Sequence, residues 1–104
     1  MHTLRVASLE LDRAAAVHLQ DDLHQALALG ATALIIDLAA VERFDPIGLS
    51  VLLMARQEVP EGMRVVLAAL QPAGQTIVRL MHLHEVFDIY ASVQAAAMDL
   101  EAEP

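Results

Sequence analysis

The feature that most limits how this chain can fold is a short apolar segment, Ala33 to Leu38, broken only by Asp37. A run without polar alternation is typical of a strand that is covered on both faces, and such strands lie mostly inside parallel sheets. Shortly afterwards, Asp45 and Pro46 combine a favoured N-cap with a favoured first helical residue. The sequence therefore predicts a buried strand, followed by a helix that begins at Pro46 and ends at about Gln57.

The remaining segments alternate between strand and helix patterns. Strands are predicted at Thr3 to Leu9, Arg64 to Leu70 and Val86 to Tyr90. Asp12 is a predicted N-cap for an amphipathic helix that ends at Gly30. A third helix is predicted from Pro72 to about His82, and Ser92 is the predicted cap of a final Ala-rich helix.

Strands that alternate with helices at this spacing predict an α/β domain with a mostly parallel sheet and right-handed crossovers. We expect a single domain over residues 1–104, because the chain is long enough for one core but not for two. About four to five strands and about four helices are expected, with a frayed tail at 100–104.

Composition narrows the possible partners. The net charge is −8, with six Arg and no Lys, and three residues are aromatic. Such a surface repels phosphate backbones and anionic lipid, so we expect neither nucleic-acid binding nor electrostatic docking on membranes. The lack of Lys excludes P-loop and Schiff-base chemistry, and the lack of Cys excludes disulfides and thiolate metal sites. A protein partner is therefore expected.

Export and membrane patterns are also missing. The residues after Met1 do not form a basic stretch followed by an apolar region, and no apolar run approaches the ~20 residues of a membrane span. We therefore expect a cytoplasmic protein that does not insert into a membrane.

Several segments resemble, in the same order, those of STAS domains, the fold of bacterial anti-sigma factor antagonists. No single motif is specific, but the ordered set covers nearly the whole chain from Leu9 onward. The matching segments are Leu9-Glu10-Leu11-Asp12, Leu34 to Leu38 with Val41 and Phe44-Asp45, Gly48-Leu49 with Arg56, Pro72 with Ile77 and Leu80, and Val86 to Tyr90.

The resemblance implies a protein-binding switch and not an enzyme. Family members bind an ATPase-like serine kinase that also serves as an anti-sigma factor, and phosphorylation of the Ser or Thr before the Gly breaks that complex. Here the residue before Gly48 is Ile47, which has no hydroxyl and cannot be phosphorylated. The resemblance implies that the partner-binding residues are Asp45, Pro46, Ile47, Gly48, Leu49 and Ser50.

Three interpretations of the missing hydroxyl are open. The first, which we rank highest, is an antagonist that binds its kinase or anti-sigma partner without switching. The second is a fixed STAS subunit of a bacterial lipid-transport ABC complex. The third is an accessory module of a sensory assembly that is controlled by its partner. The sequence predicts no oligomeric state.

Simpler roles are also open for individual residues of the motif. Ile47 either packs on Phe44 or contacts a partner. Asp45 is first a helix cap and then a partner contact. Ser50 either donates back to the preceding helical turn or is a displaced phosphoacceptor, and we favour the first.

Two other functional classes are weaker. An enzyme would need Asp12, Asp37 and Asp45 to meet at one edge of the sheet, but a phosphoaspartate receiver also needs a Lys. A ligand sensor would need a pocket of ~300 Å³ or more, for which we expect little room. We predict no catalytic residue, cofactor or metal site. His82 and His84 are expected to be surface residues without a coordinating carboxylate, and the five Met are interpreted as core filler or the start residue.

Overall fold

The structure, a computed structural model, describes residues 1–102. Strands and helices alternate along the chain, and a short 3₁₀ turn, Leu83–Glu85, lies near the end. In chain order the other elements are β1 (His2–Arg5), β2 (Glu10–Leu11), α1 (Arg13–Ala28), β3 (Ala33–Asp37), β4 (Arg43–Phe44), α2 (Pro46–Glu58), β5 (Arg64–Ala68), α3 (Pro72–Leu80), β6 (Asp88–Tyr90) and α4 (Val93–Glu101).

The main sheet has four parallel strands in the order β1-β3-β5-β6. The apolar strand β3 is interior, since Leu34 is in register with His2 on one side and with Val65 on the other. The predicted α/β fold with a mostly parallel sheet and four helices is therefore confirmed. A second sheet pairs β2 with β4 in parallel.

The two faces of the main sheet carry different cores. Leu34 and Ile36 of β3 belong to the larger core, together with the buried residues of α1 and α2. Ile35 points the other way and packs in a smaller cluster with Ala96 of α4. α2 and α4 therefore lie on opposite faces of the sheet. None of the four helices within residues 1–102 combines the length and apolar character needed to cross a bilayer.

Three predicted helix caps are present. The carboxylate of Asp12 accepts a hydrogen bond from the Ala15 amide at 2.9 Å, and the hydroxyl of Ser92 accepts one from the Ala95 amide at 3.0 Å. Asp45 caps α2 and is described with the site below. After α1, the chain turns at Gly30, whose φ of +88° is a conformation that side chains other than Gly rarely adopt.

Several boundaries differ from the predictions because the chain turns where periodicity gives no warning. β1 ends at Arg5, and β5 ends at Ala68 because Ala69 adopts a φ of 63°. α3 ends at Leu80, not at about His82, since His82 adopts a φ of 58°.

The bounds of the last strand and the last helix also differ from the predictions. Strand β6 begins at Asp88, and the apolar residue before it, Phe87, is buried in the larger core. α4 continues to Glu101 and so overlaps the tail that we expected to be frayed. Residues 103 and 104 of that tail lie outside the described residues.

A polar network holds α4 against the edge of the main sheet. Arg64 donates to Asp88 and to the Tyr90 hydroxyl, and Tyr90 donates to Asp99 of α4. The hydrogen bond to Asp99 raises the pKa of Tyr90, and the hydrogen bond with Tyr90 raises the pKa of Arg64. Side chains thus add to the limited apolar contact that the small residues of α4 provide.

A second polar group joins α1 to α2. Glu58 at the end of α2 accepts a hydrogen bond from Gln20 at 2.7 Å and pairs with the ring of His24. The hydrogen bond with His24 lowers the pKa of the Glu58 carboxyl.

Candidate functional site

The candidate site is the start of α2, where the chain has crossed from the end of β3. The crossing segment is fixed by local hydrogen bonds: the Asp37 carboxylate accepts from the Ala39 amide at 3.0 Å, and the Ala39 carbonyl accepts from Gln71 at 2.8 Å. Val41 is fully buried and anchors the segment in the core. The chain therefore enters α2 in a defined position.

Asp45 forms the cap that the sequence predicts. Its side-chain oxygen accepts a hydrogen bond from the Ile47 amide at 2.7 Å, and its backbone carbonyl accepts from the Leu49 amide at 3.0 Å. Pro46 occupies the first helical position, where its missing N–H costs nothing. The local sequence is therefore sufficient to start the helix here.

Gly48 is required by the close approach of α2 to the end of β2. A Cβ atom on Gly48 would lie 2.2 Å from the Leu11 carbonyl oxygen and 2.8 Å from the Leu11 carbonyl carbon. Both are backbone atoms, so no side-chain rotation can make room. The glycine of the motif thus sets the distance between α2 and the β2–β4 pair.

The predicted site residues are not equally accessible. Pro46, Ile47 and Ser50 are exposed, and Ile47 keeps 59% of its surface accessible. Gly48 is buried and Leu49 is only 1% exposed, so both support the site from below and are not available for contact.

Phe44 lies beside the site and packs toward α3. A Cβ atom on Gly74 of α3 would lie 2.7 Å from the Phe44 ring, which shows how closely the ring approaches that helix. Phe44 is partly buried against the larger core, whereas Ile47 remains mostly exposed.

Met54 extends the exposed apolar face and was missed in the sequence. It lies seven residues after Ile47 on α2, two helical turns along the same face, and is also 59% exposed. The interpretation of the Met residues as core filler or the start residue was wrong for Met54, Met81 and Met98, which are exposed, and only Met63 lies in the buried core. The i, i+7 spacing to Ile47 was the signal that could have identified Met54.

Ser50 and Thr76 use their hydroxyls within their own helices. The Ser50 hydroxyl donates to the Pro46 carbonyl at 3.0 Å, and the Thr76 hydroxyl donates to the Pro72 carbonyl at 3.1 Å. Ser50 is therefore back-bonded to the preceding turn, the role that we favoured.

The three aspartates of the enzyme hypothesis serve local roles. Asp12 and Asp45 cap helices, and Asp37 closes a turn. Within residues 1–102, the one group of three potential metal-binding side chains with closely spaced ligand atoms lies elsewhere and consists of His82, His84 and Glu85. The expectation that these histidines lack a nearby carboxylate was therefore wrong.

A groove of about 590 Å³ lies between α3 and β6, with Val78, Arg79, His84, Ile89 and Tyr90 among its walls. It exceeds the ~300 Å³ that small-molecule sites usually need, so the expectation of little room was wrong.

The family follows from the whole chain and not from the site alone. The family model of the STAS domain matches residues 3–96, which include every strand of both sheets except the first residue of β1. The chain belongs to the STAS domain family. The resemblance to STAS domains that the ordered segments indicated in the sequence is therefore confirmed.

Solved structures resemble this STAS domain over most of its length. The crystal structure of an anti-sigma factor antagonist from Mycobacterium paratuberculosis has a TM-score of 0.77 and 26% sequence identity, over 88% of this chain and 79% of that one. A proposed anti-sigma factor antagonist from Thermotoga maritima has a TM-score of 0.79 and 17% identity, over 95% of this chain and 87% of that one, and supports the fold alone. No curated protein matches the chain.

Proposed function

We propose that this STAS protein is a non-enzymatic regulatory module that binds an ATPase-like serine kinase or anti-sigma partner and lacks the usual phospho-switch. The observation that carries the proposal is the exposed Ile47 directly before the buried Gly48 at the start of α2. Similarity to the Mycobacterium paratuberculosis structure supports the class of function.

The physics of the position supports binding without switching. The first turn of a helix has free N–H groups and a favourable dipole, which stabilise an anion by ~0.3–1 kcal/mol at an exposed site. A phosphoryl group there would add nearly two negative charges at the centre of an interface and repel a partner. Ile47 accepts no phosphoryl group, so the surface keeps one state.

The exposed face of α2 supplies the contact. Ile47 and Met54 present apolar surface on either side of Ser50. Complete burial of an Ile side chain stabilises by about 1.5–3 kcal/mol, so covering the exposed 59% of Ile47 would contribute roughly 1–2 kcal/mol to binding. Asp45, Gly48 and Leu49 hold this face in position and do not themselves need to contact the partner.

A phosphorylation assay tests the missing switch. Incubation with ATP and the cognate serine kinase should leave the intact mass of the wild-type chain unchanged, whereas Ile47→Ser should gain one phosphate. Ser50→Ala is the matched control, because it removes the nearest native hydroxyl. If the wild type gains a phosphate that Ser50→Ala does not, Ser50 is a displaced acceptor and the proposal of a fixed state fails.

A fixed apolar face also suits permanent assembly, so a subunit of a bacterial lipid-transport ABC complex is the second candidate. An accessory module of a sensory assembly that is controlled by its partner is the third. The same observation favours both, namely an exposed Ile47 without a hydroxyl. Identification of the stable partner separates the candidates, since a kinase or anti-sigma factor and a transporter subunit differ in sequence and mass.

A further inference from the structure

The turn between α3 and β6 brings two imidazoles and a carboxylate together. The ligand atoms of His82, His84 and Glu85 all lie within 4.8 Å of one another, and all three side chains are exposed. His82 Nδ1 lies 3.7 Å from Glu85 Oε1, and the rings of His82 and His84 are 6.0 Å apart between centroids. This cluster is remote in sequence from the start of α2.

The backbone of the turn is held in place from below. Leu83 is only 3% exposed, and its carbonyl accepts hydrogen bonds from the amides of Val86 and Phe87 at 3.0 and 2.8 Å. The Glu85 amide donates to the His82 carbonyl at 3.1 Å. In a 3₁₀ turn the side chains at i and i+3 lie over one another, which places Glu85 beside His82. The ligands therefore project from an anchored backbone.

We propose that His82, His84 and Glu85 form a surface site for a divalent transition metal ion, with Zn²⁺ as the best-matched ion. Two imidazole nitrogens and one carboxylate oxygen suit Zn²⁺, whereas Mg²⁺ and Ca²⁺ prefer oxygen ligands. Three protein ligands leave a coordination position for water, as in open zinc sites. The chain's net charge of −8 favours the approach of a cation.

The geometry needs only side-chain movement to close around the ion. Ligand atoms at ~2.1 Å from a tetrahedral zinc lie about 3.4 Å apart, close to the present separation between His82 and Glu85. The exposed side chains can cover the remaining difference by rotation. His84 also lines the groove beside Arg79, so a bound ion would add positive charge at the rim of that groove.

Calorimetric titration of the metal-free, untagged full chain with Zn²⁺ tests the site. His84→Ala removes one ligand. His82→Asn removes another and suits the left-handed backbone at this position, which Asn tolerates better than Ala. Glu85→Gln removes the carboxylate charge. His18→Ala is the matched control, since His18 is an exposed histidine on α1 outside the cluster.

One equivalent of Zn²⁺ should bind the wild type and His18→Ala alike. His84→Ala and His82→Asn should each weaken Zn²⁺ binding by roughly 10- to 100-fold or more. Loss of a residue that only hydrogen-bonds to a metal ligand already costs that much affinity in zinc sites, and here the ligand itself is lost. Amide shifts in a two-dimensional NMR spectrum should centre on residues 82–86. The proposal is overturned if Zn²⁺ does not bind, if both histidine variants of the cluster bind Zn²⁺ like the wild type, or if the amide shifts centre on His24 and Glu58. Mg²⁺ at the same concentration should produce no comparable binding.

Discussion

Replacing Gly48 by Ala tests whether the contact between α2 and β2 determines the position of the candidate site. The added Cβ would lie 2.2 Å from the Leu11 carbonyl oxygen and 3.0 Å from the Asp12 carbonyl carbon. Every atom it approaches most closely belongs to the backbone, so α2 must move or the β2–α1 junction must distort.

The expected cost follows from two opposing terms. Overpacking a well-packed site costs about 1–3 kcal/mol, and a backbone contact at this distance lies at the upper end or above it. Ala is favoured over Gly by ~0.8–1 kcal/mol in a helix interior, which is an upper bound for Gly48 in the first turn of α2, so this preference offsets at most part of the cost. We therefore expect Gly48→Ala to lower the free energy of unfolding by about 2 kcal/mol or more.

Chemical denaturation with two matched glycine variants checks this reasoning. Gly74→Ala should cost less than Gly48→Ala, because its Cβ meets side-chain atoms of Phe44 and Leu70 that can shift. Gly62→Ala meets no atom within 4 Å, so only its φ of +84° should destabilise it, by ~1–2 kcal/mol. A free energy of unfolding for Gly48→Ala within about 0.5 kcal/mol of the wild type would refute the close approach.

Two further predictions concern Asp45 and Glu58. Asp45→Ala should lower the free energy of unfolding by ~1 kcal/mol through loss of the cap on α2. Asp45→Asn keeps a side-chain oxygen that can accept from the Ile47 amide, so it should keep most of the stability that the cap contributes. Equal losses in both variants would mean that this hydrogen bond is not the cause. Because the hydrogen bond with His24 lowers the pKa of Glu58, the carboxylate contributes stability that is present above its ordinary pKa of 4.5 and is lost as the pH falls through the lower folded value. The difference in stability between the wild type and Glu58→Gln, measured by denaturation at several pH values, should therefore shrink below pH 4.5, and a difference that grows there would contradict the assignment.

The parts of the fold that local chemistry determines could be predicted from the sequence. Asp12, Asp45 and Ser92 are good caps because their side-chain oxygens reach the first amides of a helix, and all three do so. The apolar run of β3 predicted an interior strand, because a strand with apolar residues on both faces is covered on both sides only inside a sheet.

The parts that depend on distant contacts could not be predicted. β2 and β4 have two residues each, too few to show a period, and they exist because their backbones pair across more than thirty residues of chain. The end of α3 depends on the left-handed conformation of His82, which a helical pattern does not reveal. The same turn creates both the groove and the cluster of His82, His84 and Glu85.

The candidate site on α2 shows both outcomes. The sequence predicted the helix start and the cap and left open whether Ile47 packs on Phe44 or contacts a partner. It did not show that Leu49 would be buried or that Met54 would share the exposed face with Ile47. Burial on a helix depends on which elements pack against it, and that arrangement appears only in the folded chain.

The most direct test of the central claim is partner capture with the wild type and two charge variants, followed by mass-spectrometric identification. Ile47→Asp places an anion where the helix dipole tolerates it but an apolar contact does not. Met98→Asp, on the opposite face of the sheet and 65% exposed, is the control. We predict that an ATPase-like kinase or anti-sigma factor is retained by the wild type and Met98→Asp and lost from Ile47→Asp. Undiminished retention of that partner by Ile47→Asp would contradict the account.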